Sequence, residues 1–243
     1  MVEQELIFKQ IRRQDSGCVT YLIGSSKTRE CIIVDPLLDT DYIVQEAKDS
    51  GFNKITHVID THTHADHVSG SRNLVKQFNL NGVIMHSNSK CNFKTIPVED
   101  GQIIIGDTKL QFLYTPGHTY DHVCILIDDT KVLTGDTMLI WDVGRIDLGG
   151  DPRDKAEKLY DSLHGKLMKL DDAVEVYPTH VGAAHHLGNS STFSTIGKER
   201  QENMALKTKN KDDFYKYMTE DWPPKPPDYQ NIIRLNRGEV SIT

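Results

Sequence analysis

Cysteine is scarce in this chain of 243 residues. Its four cysteines, Cys18, Cys31, Cys91 and Cys124, stand far apart and form no C-x-x-C pair, which excludes a disulfide framework and a zinc knuckle. Long apolar runs are missing as well, and none approaches the roughly 20 residues needed to span a bilayer. The opening stretch Met1–Gln10 is charged and mixed, without the apolar centre of a secretory signal. Positive charge is in deficit: 28 Lys and Arg against 35 Asp and Glu leave a formal charge of −7. Bulk polyanion binding is therefore not expected, and neither nucleic acid nor a membrane is an expected partner. No internal repeat or low-complexity block interrupts the chain. What remains is a soluble, cytoplasmic globular protein, 37% hydrophobic and long enough to bury one sizeable core. Histidine is the exception, with eleven residues whose placement carries the functional argument.

The residue pattern alternates strands and helices. Glu5–Ile11, Val19–Ile23 and Cys31–Asp35 are β-branched and apolar between turn residues, and read as strands. Asp41–Ser50 has helical spacing, with Ile43, Val44 and Ala47 on one side and Gly51 as its C-cap. Ile55–Asp60 is the next strand, running into a polar loop at 61–67; Val68–Phe78 reads as a helix and Val83–His86 as a strand. Four more strands follow, at Ile103–Ile105, Lys109–Tyr114, Val123–Ile127 and Lys131–Leu133, separated by Gly, Pro and Asp turns. Pro152–Leu170 is an amphipathic helix with Ala156, Leu159, Leu163 and Leu167 on one stripe. Ala173–Tyr177 is a further strand, Ser194–Leu206 and Asp212–Asp221 are helices, and Trp222–Pro227 is a stiff connector to a short tail. Two sheets with helices outside them are the expected arrangement.

The chemistry concentrates at the ends of strands. His62-Thr63-His64-Ala65-Asp66-His67 puts four metal-capable groups into six residues directly after a strand. In a loop, that spacing lets alternate side chains converge on one point, and imidazole with carboxylate suits divalent zinc, iron or manganese. His118 in Thr-Pro-Gly-His, Asp136 in Thr-Gly-Asp and His180 in Pro-Thr-His each follow a strand through a Gly or Pro turn. Each alone is a routine turn residue; together with the first loop they read as one metal cluster.

In this order and setting, H-x-H-x-D-H followed by His118, Asp136 and His180 resembles the metallo-β-lactamase superfamily, over about residues 15 to 180. The resemblance implies an α/β (α+β) fold, the αββα sandwich of two mixed β-sheets with helices on the outer faces. The residue pattern is read as a single domain over 1–243, with 193–243 as a helical, Pro-rich C-terminal extension. By position, His62, His64 and His118 match the first metal site, Asp66, His67 and His180 the second, and Asp136 the bridging carboxylate. The bridging Asp sets the chain apart from true β-lactamases, and the absence of a flavodoxin module and of Glu at position 64 sets it apart from flavodiiron proteins.

Two branches of the superfamily remain, both acting on thiol-derived substrates. THTHADHVSG at Thr61–Gly70, GDTMLIWDVGRID at Gly135–Asp147, the helix with LYDSLHGKLMKL, and the C-terminal STIGKERQEN, DWPPKPPDY and IRLN segments resemble bacterial and archaeal persulfide dioxygenases. Some of those carry a rhodanese module, for which this chain has no catalytic cysteine after Cys124. The family implies one Fe(2+) per chain on His62, His118 and Asp136, a two-His-one-carboxylate triad with open positions. His64, Asp66, His67 and His180 then orient the ligands and hold water. The partners implied are a small-molecule thiol persulfide and O2, and a homodimer is in keeping with the superfamily. The alternative is a glyoxalase II-like thioester hydrolase with two Zn(2+), which the seven potential ligands do not forbid. Arg145 and Asp147, just beyond the metal Asp, are expected at the substrate, Arg145 pairing with a substrate carboxylate or holding Asp147 against a ligand histidine. The loop Val181–Gly188 departs from the family pattern; His185, and His186 beside it, are candidates to touch substrate and to select the carrier thiol.

Overall fold

Alternation along the strands sorts their side chains into layers. On Glu30–Val34, Ile32 and Val34 face one core cluster while Cys31 and Ile33 face another; on Val123–Ile127, Val123, Ile125 and Ile127 face the first cluster, and Cys124 and Leu126 a third. With both faces apolar, such strands must be covered on both sides, which is the condition for two packed sheets with outer helices. The computed structural model describes residues 6–13, 16–105, 108–181, 191–222 and 224–241, the side chains of 102–105 excepted.

The first sheet runs in chain order: β1 (Leu6–Arg12), β2 (Val19–Ser25), β3 (Glu30–Val34), β4 (Lys54–Ile59), β5 (Val83–His86) and β6 (Thr95–Val98). β1 to β3 are antiparallel and β3 to β6 parallel. The second sheet is built from β7 (Gly101–Ile105), β8 (Thr108–Tyr114), β9 (Val123–Ile127), β10 (Lys131–Gly135), β13 (Glu175–Pro178) and β14 (Ser194–Thr195), in the spatial order β14-β13-β10-β9-β8-β7. Only its β10–β13 pair is parallel. A small ribbon, β11 (Met138–Leu139) with β12 (Asp142–Val143), lies between β10 and the following helix. Ile23, Ile32, Ile59, Leu110, Ile125 and Leu133 fill the space between the sheets.

Helices α1 (Thr40–Asp49) and α2 (Ser71–Gln77) cover the first sheet, burying Ile43, Val44, Ala47 and Leu74 against Leu22, Ile33 and Val58. Helices α3 (Pro152–Gly165), α4 (Ile196–Glu202) and α5 (Lys211–Glu220) cover the second, where Ala156, Leu159, Leu163 and Phe214 meet Leu126, Val132 and Val176. Each fully buried side chain of this size is worth roughly 1.5–3 kcal/mol of transfer free energy. The expected αββα sandwich of two mixed sheets is the observed one. α3 starts as a helix should, with the Asp151 side chain accepting from the Arg153 N–H and Pro152 in the first turn.

Several boundaries differ from the sequence expectation. The helix expected at Val68–Phe78 begins only at Ser71, because Ser69 is held in a bridge to Leu37 and its hydroxyl bonds the Asp60 carboxylate. The Pro152–Leu170 stripe breaks after Gly165 into a 3₁₀ turn at Leu167–Lys169, which still buries Leu167. The Ser194–Leu206 helix is three pieces, β14, α4 and a 3₁₀ turn at Met204–Lys207; Asn203 ends α4 and its side chain caps the turn at the Ala205 N–H. The short tail contains a helix, α6 (Tyr229–Asn236). β6 and the β11–β12 ribbon were not expected; both are too short to show a period. Among the described residues, no helix is long and apolar enough to cross a membrane.

Candidate metal centre

Five segments bring polar side chains to one edge of the sandwich, each leaving a strand at its C-terminal end. Asp35 follows β3, Asp60 to His67 follow β4, His118 follows β8, Asp136 follows β10 and His180 follows β13. β3 and β4 are parallel, as are β10 and β13, so the paired ends open on the same side, where ligands gather in α/β sheets.

His62, His118 and Asp136 form a cluster whose ligand atoms all lie within 4.8 Å of one another. Their hydrogen bonds fix which atoms are free. Thr61 Oγ1 donates to Asp35 Oδ2 at 2.8 Å, so at 3.0 Å it accepts from His62 Nδ1. The lone pair of His62 is therefore on Nε2, a buried atom without a partner. His118 Nδ1 lies 2.7 Å from the Arg145 carbonyl, which can only accept, so its lone pair is also on Nε2. These nitrogens stand 3.9 Å (His62) and 3.6 Å (His118) from Asp136 Oδ2. Two neutral imidazole lone pairs and a carboxylate oxygen, aimed at one buried point, fit a divalent cation. Burial lowers the affinity of both imidazoles for a proton, which keeps the lone pairs available.

A second cluster, Cys18, Asp66, His67 and His180, adjoins the first. His180 bridges the two, with Nδ1 2.7 Å from Asp136 Oδ1 and Nε2 2.8 Å from Asp66 Oδ2. Burial pushes the Asp136 carboxyl up, but the charge and hydrogen bond of His180 outweigh it and hold the group well below the usual carboxylate range. Burial likewise opposes charge on His67, yet Asp66, 2.9 Å from Nδ1, raises it to about 10. Burial raises the Cys18 thiol, and contacts with His180 and His67 then bring it down to about 7. His64 belongs to neither cluster. It groups with Asp35 and Asp60, donating from Nε2 to Asp35 Oδ1 at 3.1 Å, which leaves its buried Nδ1 without a partner.

A cavity of about 780 Å³ opens onto His118, Asp136, Asp66 and His180. Leu139, Val143 and Leu148 line it, as do Tyr217, Met218 and Trp222, from the end of α5 onward. Arg145 also lines it, with its Nε and Nη2 bonded to the two Asp147 oxygens at 2.7 and 2.9 Å. Of the two roles expected for this pair, the second needs revision: the Arg145 carbonyl, not the Asp147 carboxylate, holds the ring of His118. The approach is close because residue 144 is glycine; a Cβ there would stand 2.9 Å from His118 Nδ1. His185, His186 and most of the Val181–Gly188 loop lie outside the described residues.

Sequence reasoning missed four supporting groups. Asp35 carried the same signal as the others, an acidic residue ending a strand before proline, and it bonds Thr61, His64 and Thr179. Cys18 and His122 carried no motif of their own. Asn236 had no local signal at all: from the end of α6 it donates to the carbonyls of His64 (3.0 Å) and His67 (2.8 Å) and accepts from the Ser69 N–H (2.9 Å). Asn236→Ala would remove the side-chain partner of three main-chain groups, two buried and one partly buried. We expect it to cost on the order of 3 kcal/mol in urea unfolding. A loss under about 0.5 kcal/mol, the level of an ordinary surface change, would mean that the loop holds itself.

The fold and site define a metal-dependent enzyme of one class. The chain matches the metallo-beta-lactamase superfamily at residues 13–90 and 92–180, and it belongs to that superfamily. Within it, the chain is 33% identical to the mitochondrial persulfide dioxygenase ETHE1 of Bos taurus over 238 residues, covering 95% of this chain and 87% of that protein. The crystal structure of ETHE1 from Myxococcus xanthus is similar with a TM-score of 0.85 and 32% identity, covering 95% of this chain and 98% of the other. A hydroxyacylglutathione hydrolase of Francisella tularensis subsp. novicida is 33% identical over 153 residues, 61% of this chain and 58% of that protein.

Proposed function

We propose that this enzyme is a persulfide dioxygenase, converting a low-molecular-weight thiol persulfide, O2 and water to sulfite and the free thiol. The observation that carries this reading is the likeness to ETHE1 along nearly the whole chain, in sequence and in structure. The likeness to hydroxyacylglutathione hydrolases covers less, 61 to 76% of this chain and 58 to 68% of those proteins.

In this reading His62 Nε2, His118 Nε2 and Asp136 Oδ2 would hold one Fe(2+), which would bind sulfur and O2 and supply the electrons that activate oxygen. The residues do the rest. Thr61 and the Arg145 carbonyl hold the two imidazoles in the tautomer that presents Nε2. His180 orients Asp136 from its other oxygen and ties it to Asp66, where a water molecule can be held and its protons passed on. The apolar wall of Leu139, Val143 and Leu148 limits water beside the sulfur anion. Arg145, braced by Asp147, offers a cation to a carboxylate of the carrier thiol; glutathione persulfide is the first candidate.

A binuclear zinc thioester hydrolase is the second reading, and one observation favours it. His64 Nδ1 and His67 Nε2 are buried and unpartnered, so a larger donor set is present. Metal content separates the two. Protein purified without oxygen is expected to hold one iron per chain by elemental analysis, and two zinc ions with negligible iron and full activity would overturn the dioxygenase reading.

A further inference from the structure

We infer that His122, which holds no metal and meets no substrate in the proposed reaction, is the positioning residue that locks the three ligand-bearing segments into one geometry. This rests on the reading of His62, His118 and Asp136 as the ligands. His122 is fully buried and lies four residues beyond His118 on the same segment. Its Nε2 is 3.0 Å from the main-chain N–H of Asp136. That group can only donate, so Nε2 accepts, and the neutral ring carries its proton on Nδ1. Nδ1 in turn stands 3.0 Å from Thr137 Oγ1 and 3.1 Å from Thr115 Oγ1, each of which has a lone pair to receive it. On its face the ring stacks against His62, with centroids 4.8 Å apart and planes at 19°.

One imidazole thus touches every segment that supplies a ligand. It shares the His118 loop, bonds the backbone of Asp136 and lies flat on His62. The main chain around it is fastened in the same way: the Thr115 N–H donates to the His122 carbonyl, and the Val123 N–H to the carbonyl of Thr61, next to His62. Residue 135 is matched to it. Gly135 has φ +50°, and a Cβ there would stand 2.4 Å from His122 Nε2, so the glycine lets the Asp136 turn close onto the imidazole. A cation needs its ligands within about 0.2 Å of their preferred distances. Asp136 reaches that position from a tight turn whose first N–H is held by His122, and His62 has the His122 ring as a fixed floor.

A space-filling role predicts that any ring of similar size will serve; a positioning role requires the acceptor at Nε2. His122→Phe keeps the ring and the stack but removes both hydrogen bonds. The test is anaerobic titration of the purified chain with Fe(2+) against a competing chelator, together with the electron paramagnetic resonance spectrum of the ferrous nitric oxide adduct. We expect H122F to remain folded, to bind Fe(2+) roughly 10–100-fold more weakly, and to give a spectrum of altered rhombicity. Parental affinity with a parental spectrum would overturn the inference. Should H122F not fold, His122→Gln and His122→Met, alike in size, carry the test. Gln, which keeps an acceptor, is expected to bind Fe(2+) about tenfold more tightly than Met, and equal affinities would overturn the inference. Neither readout needs a persulfide. Loss of affinity in H122F from a protein that never consumes O2 would therefore leave this inference standing and sink the proposed reaction instead.

Discussion

His62→Ala, His118→Ala and Asp136→Ala are each expected to yield folded protein without bound metal and with turnover lowered at least ~1,000-fold, since no other group can supply the redox step. The physical case lies in the free atoms. His62 Nε2 is buried with no protein partner, and both imidazoles are held in the tautomer that leaves Nε2 bare. Such atoms cost stability unless a ligand satisfies them. His64 and His67 also keep a buried nitrogen without a partner, but each is anchored to a carboxylate, Asp35 and Asp66 respectively, and in the proposed reading they support the site from outside the triad. Their replacement by Ala is expected to leave iron bound, with affinity weakened roughly 10–100-fold. Elemental analysis beside chelator competition separates the groups. Equal and complete metal loss from all five variants would mean that His64 and His67 are ligands, as the two-zinc arrangement requires.

The second large effect is on oxygen. With glutathione persulfide, the protein is expected to consume one O2 for each sulfite formed, and the rate is expected to fall to background when O2 is removed. The stoichiometry follows from the balance: the terminal sulfur gains two oxygen atoms from O2 and one from water, the S–S bond breaks, and the carrier leaves as thiol. A thioester hydrolase works through a metal-held hydroxide and needs no oxygen. An oxygen electrode with sulfite quantification decides between them, provided several carriers are tried. The described walls combine Arg145 with Tyr217, Met218 and Trp222, and glutathione persulfide need not be the carrier this cavity prefers. No O2 uptake with any of the persulfides, beside rapid oxygen-independent cleavage of a glutathione thioester, would refute the proposed reaction.

The candidate donors of the metal centre were legible in the sequence because each follows a strand. A side chain there has one place to go, the edge where parallel strands end, so a local pattern implied a spatial one. The same holds for the layers: period-two apolar residues on β3 and β9 require cover on both faces, and the αββα sandwich follows. Boundaries were legible only where a residue acts alone, as at Pro152; the cap of α1 is Ser50, one residue before the expected Gly51, and the expectation failed at Ser69, where a distant carboxylate and a bridge to Leu37 outweigh helical spacing. What the sequence by itself determined is therefore the identity of the candidate donors and the architecture that gathers them, since both depend on near-neighbour spacing. The tertiary structure alone decided which nitrogen of each histidine is free, that His64 turns to Asp35, that the Arg145 carbonyl holds His118, and that His122 and Asn236 brace the loops. Those facts depend on hydrogen bonds between residues as far as 172 positions apart, and spacing along a chain carries no information about such pairs until the chain has folded.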